Sequence, residues 1–289
     1  MTTRCGGALL VVLALALAAP GAAQPAPSAP PARPLFAVSS PEPGVLLLEP
    51  VVLVGADTLV DPRPADEPQG TRLAASILSP GATYALARLG RTLGTLAVRD
   101  TTTPSCVGIA GRAAVPAGVA PGAADRAVAG PAGLVSRAAP LGAPADGAQR
   151  ARLMAAARNA YRARSASAAQ SDSLEALGQL ALRGAAGLPR LAGGFALRTI
   201  VADSACPGCE RIRTLLLILA PDGAVEHAQW RDEIEKGVTH DPWDLLDLDA
   251  DGEPELLVRT VWYEAVDWAI LSRRGGAWRE VYRGAQTGC

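Results

Sequence analysis

DLLDLDADGEPELLVRTVWYEAVDWAILSRRGGAWREVYR, residues 244–283, is the stretch that decides how this chain is expected to fold. Its apolar runs are short, and turn signals at Asp251-Gly252 and Gly275-Gly276 separate them. Short apolar runs bounded by such residues are typical of β-strands joined by tight turns. We therefore predict strands over residues 256–263, 268–271 and 278–282.

The same pattern extends towards the N-terminus of this region. Further apolar runs cover residues 195–202, 213–220 and 225–230, with a turn signal at Pro221-Asp222-Gly223. Consecutive strands with short connections predict an antiparallel meander over residues 189–289. All five tryptophans of the chain, at positions 230, 243, 262, 268 and 278, lie in this region. Because tryptophan buries a large apolar area, we expect the best-filled core here.

An acidic loop, residues 247–255, precedes the first strand of the quoted stretch. Carboxylates occupy its positions 1, 3, 5 and 9, with glycine at position 6. Hard oxygen ligands at this spacing suit Ca²⁺, and the glycine permits the sharp turn. The predicted ligands are Asp247, Asp249, Asp251, Glu255 and the backbone carbonyl of Glu253. The alternative is an acidic turn that caps a hairpin and faces water.

This loop resembles the calcium loop of FG-GAP/VCBS-type repeats, in which D-x-D-x-D-G-x-x-[DE] is followed by an apolar strand. An EF-hand would instead carry glutamate at position 12, where this chain has Val258. The resemblance implies that calcium binds in a β-hairpin loop through the five residues named above. Position 9 is glutamate where the family usually has aspartate, and the chain contains one copy only. A propeller of several blades is therefore not implied.

The remainder of the chain has a different pattern in each segment. Residues 36–115 contain short, punctuated apolar runs and predict a small β domain, including a hairpin that turns at Gly90-Arg91. Residues 116–147 are rich in Ala, Gly and Pro and predict a linker. Residues 148–188 predict two short helices, the second after a capping box at Asp172 and Glu175. The expected fold class is α+β, mostly antiparallel β.

The first residues predict export. Arg4 precedes an apolar run over residues 8–19, and small residues follow it, which is the pattern of a secretory signal peptide. We expect residues 1–23 to be the signal and residues 24–35 to be a Pro/Ala-rich spacer. The run is too short for a membrane-spanning helix, so no transmembrane segment is expected after cleavage. The predicted location is extracytoplasmic, either periplasmic or secreted.

Four cysteines follow the predicted signal. In an oxidising compartment they predict disulfides, and we favour Cys206–Cys209 and Cys106–Cys289 among three possible pairings. The C-x-x-C spacing also permits a periplasmic thiol–disulfide oxidoreductase. The apolar run after Cys209 indicates a strand rather than the helix that would stabilise a thiolate, which favours a structural bond. A four-cysteine zinc site is a further alternative, disfavoured under oxidising conditions.

Composition excludes several classes of function. The chain has 27 Lys and Arg against 28 Asp and Glu, with a formal net charge of −1, so nucleic-acid binding is not expected. It contains no phosphate-binding loop, HExxH or GxSxG motif. Five arginines between residues 150 and 164 form either a solvated helix face or a surface for an anionic partner. The sequence thus predicts a non-enzymatic exported protein whose partner is an unidentified protein or envelope component.

Overall fold

Three antiparallel β-sheets account for most of the ordered backbone in this computed structural model. The structure describes residues 32–62, 75–103, 108–120, 122–164, 166–183, 188–201, 206, 208–234, 237–262, 264–284 and 287–288. The fold is β-rich and its strands pair antiparallel, which confirms the predicted mostly antiparallel β class. The predicted signal and spacer fall almost entirely outside the described residues.

The first sheet closes into a six-stranded barrel. Its strands are β1 (Arg33–Glu42), β2 (Val45–Val54), β4 (Thr83–Arg88), β5 (Arg91–Thr102), β6 (Ala110–Ala114) and β7 (Ala127–Gly130), and β3 (Leu59–Val60) extends it beside β2. The order is β1-β7-β4-β5-β6-β2, and pairing of β1 with β2 closes the ring. Side chains alternate along each strand, so Phe36 and Val38 fill the barrel while Leu35 and Ala37 face outward.

The hairpin between β4 and β5 forms as predicted, with its turn one residue earlier. Leu89 has a φ of 53° and Gly90 a φ of 78°. Two consecutive residues with positive φ are the requirement of the two-residue turn that matches the twist of the flanking strands. Glycine adopts this conformation without strain, whereas Leu89 is held in it by surrounding contacts.

Residues 116–147 are not only a linker, which corrects the sequence interpretation. They supply β7 to the barrel, then α1 (Ala132–Val135) and β8 (Gly142–Pro144). Ala127, Val128 and Ala129 are fully buried between β1 and β4. A low content of bulky side chains does not prevent a strand from forming here, because β7 is held by backbone pairing with β1 and β4 and its small side chains pack into clusters on both faces of the sheet.

The second sheet is covered on one face by a helix. This helix-covered sheet contains β8, β9 (Glu175–Leu182), β10 (Arg190–Ile200), β11 (Glu210–Leu219) and β12 (Val225–Ile234), in the order β12-β11-β10-β9-β8. Helix α2 (Gly147–Ala163) begins at a capping box formed by Asp146 and Gln149. It packs on the sheet through Leu153, Ala157 and Tyr161. A short helix, α3 (Ala168–Asp172), follows.

The helix predicted after a capping box at Asp172 and Glu175 is wrong, because Glu175–Leu182 form a strand. Helix α3 ends at Asp172, and β9 begins at Glu175. Within β9 the side chains alternate between faces, since Leu180 and Leu182 join one apolar cluster and Ala181 joins the opposite one. A strand buried on both faces shows a continuous apolar run, which periodicity alone does not distinguish from a buried helix.

The third sheet, here called the central sheet, contains the quoted stretch. Its strands are β13 (Thr239–Leu246), β14 (Glu255–Val261), β15 (Ala265–Ser272), β16 (Arg279–Arg283) and β17 (Thr287–Gly288), with a 3₁₀ turn at Arg274–Gly276. The three strands predicted here are confirmed. Instead of one meander, however, the strands after residue 189 divide between two sheets. Strand β13 is absent from the prediction because Pro242 interrupts its pattern, and the register shifts there.

The central sheet lies between the helix-covered sheet and the barrel. Leu256 and Val258 of β14 pack towards the helix-covered sheet, whereas Leu257 packs on the outside of the barrel. Burial on both faces explains the unbroken apolar runs of these strands. Residues 31–289 form one compact unit. The division of this unit into the predicted domains stays a prediction.

Two glycines allow β13 to cross close to the helix-covered sheet. A Cβ atom at Gly194 in β10 would overlap the backbone carbonyl of His240, and one at Gly178 in β9 would overlap that of Pro242. Glycine within a strand is expected where another backbone approaches closely. The position of β13, and therefore of the acidic loop that follows it, depends on these two residues.

Candidate metal centre in the acidic loop

The acidic loop connects β13 to β14, and the last residue pair of these strands is Leu246 with Glu255. Ala250 and Gly252 have φ values of 61° and 86°. The glycine at position 6 thus adopts the left-handed conformation, which permits the sharp turn expected there. Ala250 adopts the same region at a cost of about 1 kcal/mol, because its Cβ crowds the backbone.

Three of the predicted ligands converge. Asp247, Asp249 and Glu255 each place one carboxylate oxygen so that the three atoms lie within 4.8 Å of one another. Calcium–oxygen distances are about 2.3–2.6 Å, so ligand atoms on opposite sides of one ion are separated by roughly 5 Å. The spacing of the three carboxylates is therefore compatible with coordination of one Ca²⁺, which takes six to eight oxygen ligands in all.

The other two acidic residues lie outside this cluster. Asp251 is exposed, and its carboxylate accepts a hydrogen bond of 2.7 Å from the backbone N–H of Glu253. The carboxylate of Glu253 lies 3.9 Å from the guanidinium of Arg190. The sequence assigned Glu253 only a backbone carbonyl, so the position of its side chain does not conflict with that role.

Two of the three converging carboxylates, those of Asp247 and Glu255, are buried, whereas that of Asp249 is exposed. Asp247 and Glu255 are 5% and 3% exposed. Glu255 accepts hydrogen bonds from the Leu248 backbone N–H at 2.8 Å and from the Ser272 hydroxyl at 3.3 Å. Burial, with the negative charges of the aspartates added, raises the pKa of Glu255 to about 7, although the Leu248 N–H opposes the shift. A cation in the cluster would offset both costs.

Two arginines that the sequence analysis did not identify border the cluster. Arg137 donates to the Asp247 carboxylate at 3.1 Å and to the Asp247 backbone carbonyl, and it is anchored to the Gly133 carbonyl at 2.9 Å. Arg274 donates to Asp249 at 3.0 Å and is 65% exposed. These guanidinium groups already supply part of the positive charge that balances the carboxylates of the cluster. Arg274 can turn into water, so it is the group that an ion would displace.

One predicted disulfide is present. The sulfur atoms of Cys206 and Cys209 lie at bonding distance, with Cα atoms 5.5 Å apart. The Cys209 carbonyl accepts a hydrogen bond of 2.8 Å from Val201, and strand β11 follows directly, as the sequence predicts. Cys106 and Cys289 lie outside the described residues, so their pairing stays a prediction.

A buried aspartate connects the central sheet to the barrel. Asp244 is fully buried, and its carboxylate accepts hydrogen bonds of 2.6 Å from the backbone N–H groups of Leu89 and Leu245. Burial raises the pKa of Asp244 to about 7, against the lowering effect of these N–H groups. The bond to Leu89 is one of the contacts made by the residue with positive φ in the β4–β5 turn. The only sequence signal for this contact is a carboxylate beside an apolar run.

Comparison with protein-family models, with curated proteins and with solved structures gives no match. The resemblance to FG-GAP/VCBS-type repeats therefore depends on the spacing of the acidic loop and stays a prediction. Among the described residues, none of the helices is both long enough and apolar enough to cross a membrane.

Proposed function

We propose that this chain is an exported, non-enzymatic protein that binds one Ca²⁺ in the acidic loop. The observation that carries the proposal is the convergence of Asp247, Asp249 and Glu255 within 4.8 Å. In this proposal the three carboxylates hold the ion, with the Glu253 carbonyl as a further ligand. The protein then serves a structural or interaction role towards an unidentified protein or envelope component.

The role of the ion follows from the position of the loop. It joins β13 to β14, and the sheet they belong to packs on both other sheets. An ion that orders this loop restrains the layer between them. Binding to the folded state alone stabilises by about 2.7 kcal/mol when free calcium is a hundred times the dissociation constant.

The test is the thermal unfolding of the full chain with calcium and with a chelator. We expect calcium to raise the melting temperature of the wild type and to have no effect on Asp249→Asn. Asp100→Asn is the matched control, because Asp100 is also an exposed carboxylate bonded to an arginine, Arg112 at 2.5 Å. The control should respond to calcium as the wild type does. An unresponsive wild type, or a full response in Asp249→Asn, would contradict the proposal.

The alternative is a periplasmic thiol–disulfide oxidoreductase that uses Cys206 and Cys209. The bond between the two sulfur atoms is the observation in its favour. Two others weigh against it: Cys209 is 7% exposed, and the strand that follows offers no helix N-terminus to stabilise a thiolate. An ordinary thiol pKa at both cysteines, without disulfide reductase activity, would exclude this alternative.

A further inference from the structure

A basic cleft lies at the end of helix α2, on the helix-covered face of the second sheet. Its volume is about 730 Å³, and its lining includes Arg164, Arg211, Arg213, Trp230 and Asp232. We call it the arginine cleft. It contains no residue of the acidic loop and is not used in the proposed function.

The cleft has more positive than negative charge. Arg211 and Asp232 form a two-point ion pair, with distances of 2.7 and 2.6 Å, so their charges cancel. Arg164 and Arg213 have no carboxylate partner among the described residues. The Nε atom of Arg213 is shielded from solvent and has no hydrogen-bond partner in the described part of the chain. The Nε atom of Arg231, which also lines the cleft, has no hydrogen-bond partner in the described part of the chain either, so three guanidinium groups are left with unused donors.

Packing beneath the cleft holds these groups in place. The Arg164 guanidinium lies 4.5 Å from the centre of the Trp230 ring, and Trp230 packs edge-on against Tyr161 at 4.8 Å. The Tyr161 hydroxyl donates to the backbone carbonyl of Arg213 at 2.8 Å, and Arg213 donates to that of Arg164 at 3.3 Å. Binding groups that are already ordered lose less entropy when a ligand arrives.

We propose that the arginine cleft binds a small organic anion, with a carboxylate or phosphate group held by Arg164 and Arg213. Guanidinium groups present paired N–H donors that match both kinds of anion. The volume lies within the range of about 300–1,000 Å³ that is typical of small-molecule sites. The cleft is also lined by the apolar side chains of Ile200 and Val201, which are suited to the organic part of the ligand.

The test is calorimetric titration of the full chain with phenyl phosphate, benzoate and benzyl alcohol. A chelator is present throughout, so that calcium binding in the acidic loop does not contribute and the two proposals are tested separately. We expect one of the two anions or both to bind, benzyl alcohol not to bind, and added salt to weaken binding. The two anions distinguish a phosphate ligand from a carboxylate ligand.

Variants localise the binding. We expect Arg164→Gln and Arg213→Gln to weaken it roughly tenfold or more, the loss typical of a charge-assisted hydrogen bond. Arg150→Gln is the control, since Arg150 is on the same helix but donates to the Ala145 carbonyl. It should change affinity less than about twofold. Arg164 is exposed, so its variant remains informative if Arg213→Gln does not fold.

Three outcomes would overturn the proposal. The first is that neither anion binds. The second is equal weakening by Arg150→Gln and Arg164→Gln, which would indicate attraction to the whole helix surface. The third is binding to phosphatidylglycerol vesicles that responds equally to those two variants while the small anions do not bind.

Discussion

Replacement of Gly194 by alanine tests the packing of β13, the strand that leads into the acidic loop. The added Cβ would overlap the His240 carbonyl oxygen and lie 3.0 Å from Cδ of Pro242. Both are parts of the backbone or of a proline ring, so neither can rotate away as a flexible side chain would. The two strands must separate, and the contact between the central and helix-covered sheets must loosen.

The expected loss of stability combines two effects. Overpacking of a buried site costs about 1–3 kcal/mol, and a clash between backbones belongs at the upper end of that range. Alanine restricts the unfolded chain more than glycine does, and this effect raises the free energy of unfolding by about 0.5–1 kcal/mol. We therefore expect Gly194→Ala to lower the free energy of unfolding by about 2 kcal/mol.

The assay is urea unfolding followed by tryptophan fluorescence. Gly147→Ala is the matched control: this glycine begins helix α2, and a Cβ there would meet no atom within 4 Å. Its free energy of unfolding should be unchanged or higher by up to about 1 kcal/mol. If both variants were as stable as the wild type, the close crossing of β13 over β10 would be refuted.

Two further variants test the buried charge and the border of the candidate calcium site. Folded Asp244, with a pKa of about 7, holds a proton that the unfolded residue releases near its ordinary value of 3.8. The contribution of Asp244 to the free energy of unfolding therefore decreases as the pH rises from about 4 to about 7, by up to about 4 kcal/mol. We expect Asp244→Asn to remove this part of the pH dependence, as measured by denaturation curves at several pH values. A wild-type slope retained in the variant would contradict this assignment. Arg274→Gln should strengthen calcium binding several-fold, because it releases Asp249 from a competing guanidinium. Arg279→Gln is the control: it removes an exposed charge of the same sign and should change the calorimetric affinity for calcium less. A weaker affinity in Arg274→Gln would show that this arginine supports the site.

The features that could be predicted from the sequence are local ones. The hairpin at Leu89-Gly90 and the strands after residue 255 follow from turn residues and short apolar runs. The sharp turn at Gly252 of the acidic loop follows from the glycine between regularly spaced carboxylates. Each of these features depends on residues that are close together in the chain, and sequence patterns report such local interactions.

The features that could not be predicted depend on distant contacts. Strand β7 is composed of small residues whose burial depends on two barrel strands far away in sequence. The sequence of strand β9 has the apolar pattern of a helix, because apolar layers cover both faces of the strand. Arg137 reaches Asp247 across 110 residues, and no spacing rule connects them. Glycines 178 and 194 gave no signal beyond interrupting strands, although they allow β13 to cross.

Calorimetric titration of the full chain with Ca²⁺ is the most direct test of the calcium site. We expect one ion bound per chain, with weaker binding of Mg²⁺, which requires a tighter octahedral geometry. We also expect loss of calcium binding in Asp249→Asn and retention in Asp100→Asn. Absence of calcium binding in the wild type, or an unchanged isotherm in Asp249→Asn, would contradict the assignment of Asp247, Asp249 and Glu255 as a calcium site.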